Sequence, residues 1–118
     1  VNFVAKDKAG KRWFFDVSGA FTSSRAGLRR TDTLWKALGK ASVLEASPVG
    51  DYRLILLTTD LPPKASAGAQ ALRAARGSTF HDAIEMLSAE GQDRLRRYAH
   101  GDNRAEPIGE LLLPLNGA

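Results

Sequence analysis

The chain contains no cysteine. That excludes a disulfide framework, a thiolate metal site and a cysteine nucleophile, and it fits a reducing compartment such as the cytoplasm. Long apolar runs are missing as well. No stretch approaches the ~20 residues of a membrane span, and nothing has the layout of a secretion signal. There is no internal repeat, low-complexity tract or convincing linker, so a single domain over residues 1–118 is expected. What is present is globular: 43% hydrophobic and 25% charged residues. A chain of this length buries roughly two thirds of its unfolded surface, enough for one conventional core.

Charge is unevenly placed. Residues 1–40 hold nine Lys and Arg against three Asp, a net +6, while the remainder holds eight against ten, for the chain total of +4. A one-sided basic stretch is either a solvated surface or the footprint of a phosphate-bearing partner.

VNFVAK and KRWFFDVS flank DKAG and read as a β-hairpin, with Lys8-Ala9-Gly10 as a three-residue loop ending in a left-handed glycine. In that register Asn2 lies opposite Asp16 and Val4 opposite Phe14, and opposed side chains sit about 4.5–5.5 Å apart at Cβ. Alternation puts Val1, Phe3, Ala5, Trp13, Phe15 and Val17 on one face and Asn2, Val4, Phe14, Asp16 and Ser18 on the other. Val1 is not an initiator methionine, and the chain opens inside a strand pattern; a fragment of a larger protein is expected, lacking an N-terminal helix of the complete fold.

GAFTSSRAGLRR reads as a loop. Thr31 or Asp32 caps a helix over about 33–45 with the apolar stripe Leu34, Ala37, Leu38, Ala41 and Leu44. YRLILLTT, continuously apolar from Leu54 to Leu57, has the pattern of a central strand covered on both faces. An Ala-rich helix from about Ser66 to Arg76 stops at Gly77. Thr79 and Asp82 resemble a capping box for a short helix carrying Phe80, Ile84 and Leu87. A last helix, GQDRLRRYA, turns Leu95 and Tyr98 inward. Trp13 and Trp35 are expected in the core, and His81 and His100, without partners at metal-ligand spacing, are read as structural. The tail from Gly101 on is ambiguous. The order β-β-α-β-α-α predicts an α/β domain on a small mixed sheet that opens with a β-hairpin and is flanked by helices.

One constellation carries chemistry. Asn2 facing Asp16 places two oxygen ligands side by side, which is what Mg²⁺ takes from a protein when waters and substrate phosphate complete its shell. Lys36 and Asp32 on the next helix add a cation and its partner, suited to a developing negative charge. By itself the same pattern also describes an aspartate that ends a strand and bonds to loop amides.

WFFDVSGAFTSSRAGLRRTDTLWKALGKASVL resembles the core of the PD-(D/E)XK nuclease superfamily, nearest its very-short-patch-repair-like branch. The pieces are Asp16-Val17-Ser18-Gly19, Phe21-Thr22, Arg30 and Asp32, then Gly39-Lys40-Ala41-Ser42-Val43-Leu44. The resemblance covers about the first sixty residues and implies a restriction-endonuclease-like core. It makes Asp16 the metal carboxylate and the Val17 carbonyl a backbone ligand, and it puts Asn2 where the first aspartate stands. Ser18 occupies the usual lysine position, with Lys36 the replacement. The implied activity is an Mg²⁺- or Mn²⁺-dependent DNA endonuclease of a defence or repair protein. Asp16, Lys36 and Asp32 would be catalytic, Asp16, Asn2 and Val17 would hold the metal, and Arg25, Arg29, Arg30 and Lys40 would grip duplex DNA, in a larger parent chain or a homodimer. The departures at positions 2 and 18 leave an alternative, a catalytically impaired nuclease-like domain acting in DNA binding or protein–protein contact.

Overall fold

Asp7 organises the start of the chain. Its Oδ1 accepts the backbone N–H groups of Ala9 (2.8 Å) and Lys11 (2.9 Å), and its Oδ2 accepts the indole N–H of Trp13 (2.9 Å). The Trp13 bond, joined by the two amides, holds the Asp7 carboxyl below its ordinary range. Gly10 closes the loop at φ +85°, a left-handed value that glycine adopts without a Cβ clash. Strands β1 (Phe3–Lys6) and β2 (Arg12–Ser18) follow as an antiparallel pair. Their register is the expected one, with Phe3 opposite Phe15, Val4 opposite Phe14 and Ala5 opposite Trp13. The structure is a computed structural model and describes residues 1–18, 31–63 and 65–101.

After the hairpin come α1 (Thr31–Ala46), β3 (Arg53–Thr58), α2 (Ala67–Ala75), β4 (Asp82–Glu85) and α3 (Ala89–Ala99). The strands lie in the order β1-β2-β3-β4, with β2, β3 and β4 mutually parallel. This is an α/β architecture on a small mixed open sheet flanked by helices. β3 is central, and its buried run Leu54–Leu57 alternates into two cores. Phe14, Leu54 and Leu56 pack with Leu34, Ala37, Leu38 and Ala41 of α1 and Leu72 of α2. Trp13, Ile55, Leu57 and Ile84 pack on the opposite face with Tyr98 of α3. No described helix is long and apolar enough to cross a membrane.

Local signals set most boundaries. Ser66 caps α2 by accepting the N–H of Ala69 (3.1 Å), and Gly77 reverses the chain at φ +85°. Ser88 caps α3 by accepting the N–H of Gly91 (2.9 Å). A Cβ on Gly91 would overlap the carbonyl oxygen of Glu85, so this helix reaches the sheet edge only with glycine there.

Two expectations are corrected. The short helix proposed around Phe80, Ile84 and Leu87 is instead strand β4, paired with β3 from Ile55↔Asp82 to Thr58↔Glu85. The 4-then-3 spacing of those apolar residues imitates a helix face, but Leu87 is 78% exposed and takes no part in the core. Asp82 does not act as a capping residue; it is fully buried, where α3 supplies partners that a lone helix start would lack. The second correction is Trp35, which is 58% exposed, whereas Trp13 is buried. Leu34 already occupies the inward position, and adjacent helix positions cannot share one face. Helix α1 also begins at Thr31, so Asp32 sits in its first turn, where an acid complements the helix dipole. The loop read over residues 19–30 and the tail beyond Gly101 lie outside the described residues.

Candidate functional site

Asp16 sits near the carboxyl end of β2, opposite Leu56 of β3, on the face covered by α1. It is 5% exposed. Its side chain forms part of a groove of about 380 Å³ whose other walls include Leu54 of β3 and Gly39, Lys40, Val43, Leu44 and Ser47 of α1 and its end. The backbone nitrogen of Val1 stands 3.9 Å from Asp16 Oδ1. The Ser47 hydroxyl is turned to its own helix, donating to the Val43 carbonyl (2.8 Å). The groove is therefore apolar on two sides, with one buried carboxylate and one lysine.

Asn2 is drawn to the same strand end by backbone forces. Its N–H donates to the Phe15 carbonyl (2.8 Å), and its Oδ1 accepts the N–H of Val17 (2.7 Å). Asn2 thereby spans Asp16, bonded to the residues on either side of it. The amide oxygen is engaged with backbone and Asn2 is not among the groove's walls.

The remaining sequence-predicted residues divide. Lys40 lines the groove with Asp16; Lys36, one helical turn earlier, is exposed and does not. Asp32 is exposed in the first turn of α1. Arg25, Arg29 and Arg30 lie outside the described residues. The structure thus brings Asp16 and Lys40 to one groove, keeps Asn2 and Val17 beside Asp16 on the paired strands but outside the groove's walls, and leaves Lys36 off it.

The oxygens a metal could use at this place are few. Mg²⁺ is commonly bound through one or two protein carboxylates and keeps several waters. Asp16 supplies one carboxylate, the second lone pair of Asn2 Oδ1 is not used by Val17, and the Val17 carbonyl is a third oxygen. Among the described residues no group of three or more His, Cys, Asp or Glu is placed to hold an ion. Asp16 is the one carboxylate among the described residues of the groove, and these residues do not form a closed protein cage.

A second polar cluster lies on the other face, at β4. Asp82 Oδ1 accepts the N–H of Ala83 (2.8 Å), and Oδ2 accepts from the Arg94 guanidinium and the Tyr98 hydroxyl (2.8 Å). Arg94 also pairs with Glu90 (2.9 Å). Burial pushes the Asp82 carboxyl up to about 6 against the pull of Arg94 and Tyr98. His81 beside it meets Trp13 and Tyr98 edge-on, both at 5.3 Å, and burial together with Arg53 and Arg76 lowers it to about 4. With no opening to solvent at Asp82, this cluster ties α3 to the sheet.

No family model, curated protein or solved structure matches the chain.

Proposed function

We propose that the domain is a nuclease-like module that hydrolyses phosphodiester bonds in DNA with a divalent cation, on a restriction-endonuclease-like core. The observation that supports this reading is the placement of Asp16, a buried carboxylate on the wall of an open groove with Lys40 beside it. Asp16, with Asn2 and the Val17 carbonyl, would hold Mg²⁺ or Mn²⁺. Such an ion, when bound, polarises the phosphodiester and lowers the pKa of an attacking water. Lys40, which lines the groove, would receive a phosphate oxygen there, a role the sequence pattern gave to Lys36. The basic first forty residues supply the counterion-releasing contacts that duplex DNA requires.

The test is cleavage of supercoiled plasmid with and without Mg²⁺. Asp16→Ala is expected to abolish metal-stimulated nicking while leaving salt-dependent DNA binding in place. Asn2→Asp is expected to raise Mg²⁺ affinity measured by calorimetry and to increase cleavage. Cleavage unchanged in Asp16→Ala overturns the assignment.

A second reading is favoured by one contact. Asn2 is an amide whose Oδ1 accepts the Val17 N–H, and Asp16 is the only carboxylate among the described residues of the groove. A scaffold of that kind binds DNA without cutting it, and duplex binding with no metal-stimulated cleavage in the unmodified chain selects this reading.

A further inference from the structure

Strand β1 forms one edge of the sheet. Its four residues are all exposed, and on the α3 face a slot of about 250 Å³ opens beneath it. The walls include Phe3 and Ala5 of β1, Phe15 of β2, Leu57 of β3 and Leu95 of α3, with Lys6 also lining it. Phe3 and Phe15 are stacked at 4.6 Å between centroids, 13° from parallel, and Phe3 is 47% exposed. The slot has room for one planar ring and is smaller than the ~300 Å³ at which drug-sized pockets begin.

The rim is cationic. Lys6 lines the slot, and Lys8 and Lys11 follow in the hairpin turn that docks on α3 through the Lys8 N–H and the Ala99 carbonyl (3.0 Å). The nearby acid, Asp7, has its two oxygens committed to the Trp13 indole and to the Ala9 and Lys11 amides. An aromatic stack half open to solvent beside Lys6, with two more lysines in the adjoining turn, is the arrangement that takes a base on its π-face and a phosphate on its charge.

We propose that this slot binds an unpaired nucleobase, stacked on Phe3 and Phe15, with Lys6, Lys8 and Lys11 holding the adjoining phosphates. It lies on the opposite sheet face from the Asp16 groove, and β1 forms the ridge between them. The ligand is single-stranded nucleic acid; stacking alone is indifferent to base identity, because every base presents a π-face.

Fluorescence anisotropy of the full chain with labelled dU and rU ten-mers in EDTA tests this, the two sugars distinguishing DNA from RNA as the source. Binding of either ten-mer is expected, weakened roughly 5- to 100-fold in Phe3→Ala. Phe3→Leu keeps the apolar contact but loses the stack, and it is expected to stay at least about 5-fold weaker. Lys6→Ala with Lys8→Ala is expected to flatten the salt slope by about 0.7 per lysine. Phe3 is half exposed, so its variants are expected to keep the circular dichroism of the parent. Asp16→Ala is expected to leave ten-mer binding unchanged, which separates this site from the proposed cleavage site. The proposal is overturned if neither ten-mer binds at low salt, or if Phe3→Leu binds as tightly as the parent. It is equally overturned if the chain is a dimer that Phe3→Ala breaks and no oligonucleotide binds, which would give the slot to a second copy.

Discussion

On the face covered by α1 and α2, the core is aliphatic: Leu34, Leu38, Leu54, Leu56 and Leu72 close on one another around Phe14. On the face covered by α3, ring against ring does the packing, with Trp13 stacked on Tyr98 at 4.9 Å, and a buried ion pair, Asp82 with Arg94, sits among the rings. The first face is held by a non-directional force and leaves an open groove at Asp16. The second is held by directional bonds that must all be made at once. Apolar burial tolerates a gap at its margin; a buried carboxylate does not tolerate a missing partner. Asp16 accordingly borders an open groove, whereas Asp82 is closed in by Ala83, Arg94 and Tyr98.

The sharpest way to break this contrast is Arg94→Ala. It leaves the Asp82 carboxyl buried without its cation, and is expected to cost about 3–5 kcal/mol in urea unfolding. Replacing both partners, Asp82→Leu with Arg94→Met, is expected to recover most of that loss; if it does not, the pair contributes more than mutual compensation. On the other face Leu34→Ala is expected to cost about 2–5 kcal/mol. Its loss should be independent of pH, since no titrating group is involved.

The α3 face, by contrast, titrates in two opposing senses. His81 is lowered to about 4, so the folded state binds its proton more weakly than the unfolded chain, and stability is lost as pH falls from 6.5 towards 4. Asp82 is raised to about 6, so stability is lost as pH rises from 3.8 through 6. The two slopes offset one another in the parent. His81→Gln should expose the Asp82 slope and Asp82→Asn the His81 slope, each of about 2 kcal/mol across the window, read by urea midpoints at pH 4, 5 and 6.5. Parallel slopes in the two variants would break the comparison. The smallest effect is expected at Trp35→Ala, within about 0.5 kcal/mol, because that ring lies on the outer side of α1 and contributes nothing to either core.

Legibility follows the same division. The hairpin register was readable because it depends on five consecutive residues, Asp7 to Lys11, and on a glycine able to take φ +85°. The stripe of α1 and the β3 run were readable because each buries a long periodic apolar set. Strand β4 was not: four residues long, it has only Ala83 and Ile84 as apolar content, and its neighbours at Phe80 and Leu87 happen to complete a helical spacing. Asp82 reads as a capping group until α3 folds back over β4 and brings it Arg94, twelve residues on. At the candidate site, Asp16 and its neighbour Asn2 came directly from the turn. The choice between Lys36 and Lys40 did not, because helix periodicity gives a lysine's direction around the axis but not where along the axis a strand end will stand.

Short-range covalent geometry and apolar periodicity determined by themselves the hairpin, its pairing, the helices α1, α2 and α3, and the central strand. Tertiary structure alone decided that residues 82–85 extend the sheet, that Asp82 and Arg94 become a buried pair, and that Lys40 rather than Lys36 shares a groove with Asp16. The physical reason is that each of these outcomes depends on a partner distant in sequence, whose contribution exists only once the layers have closed.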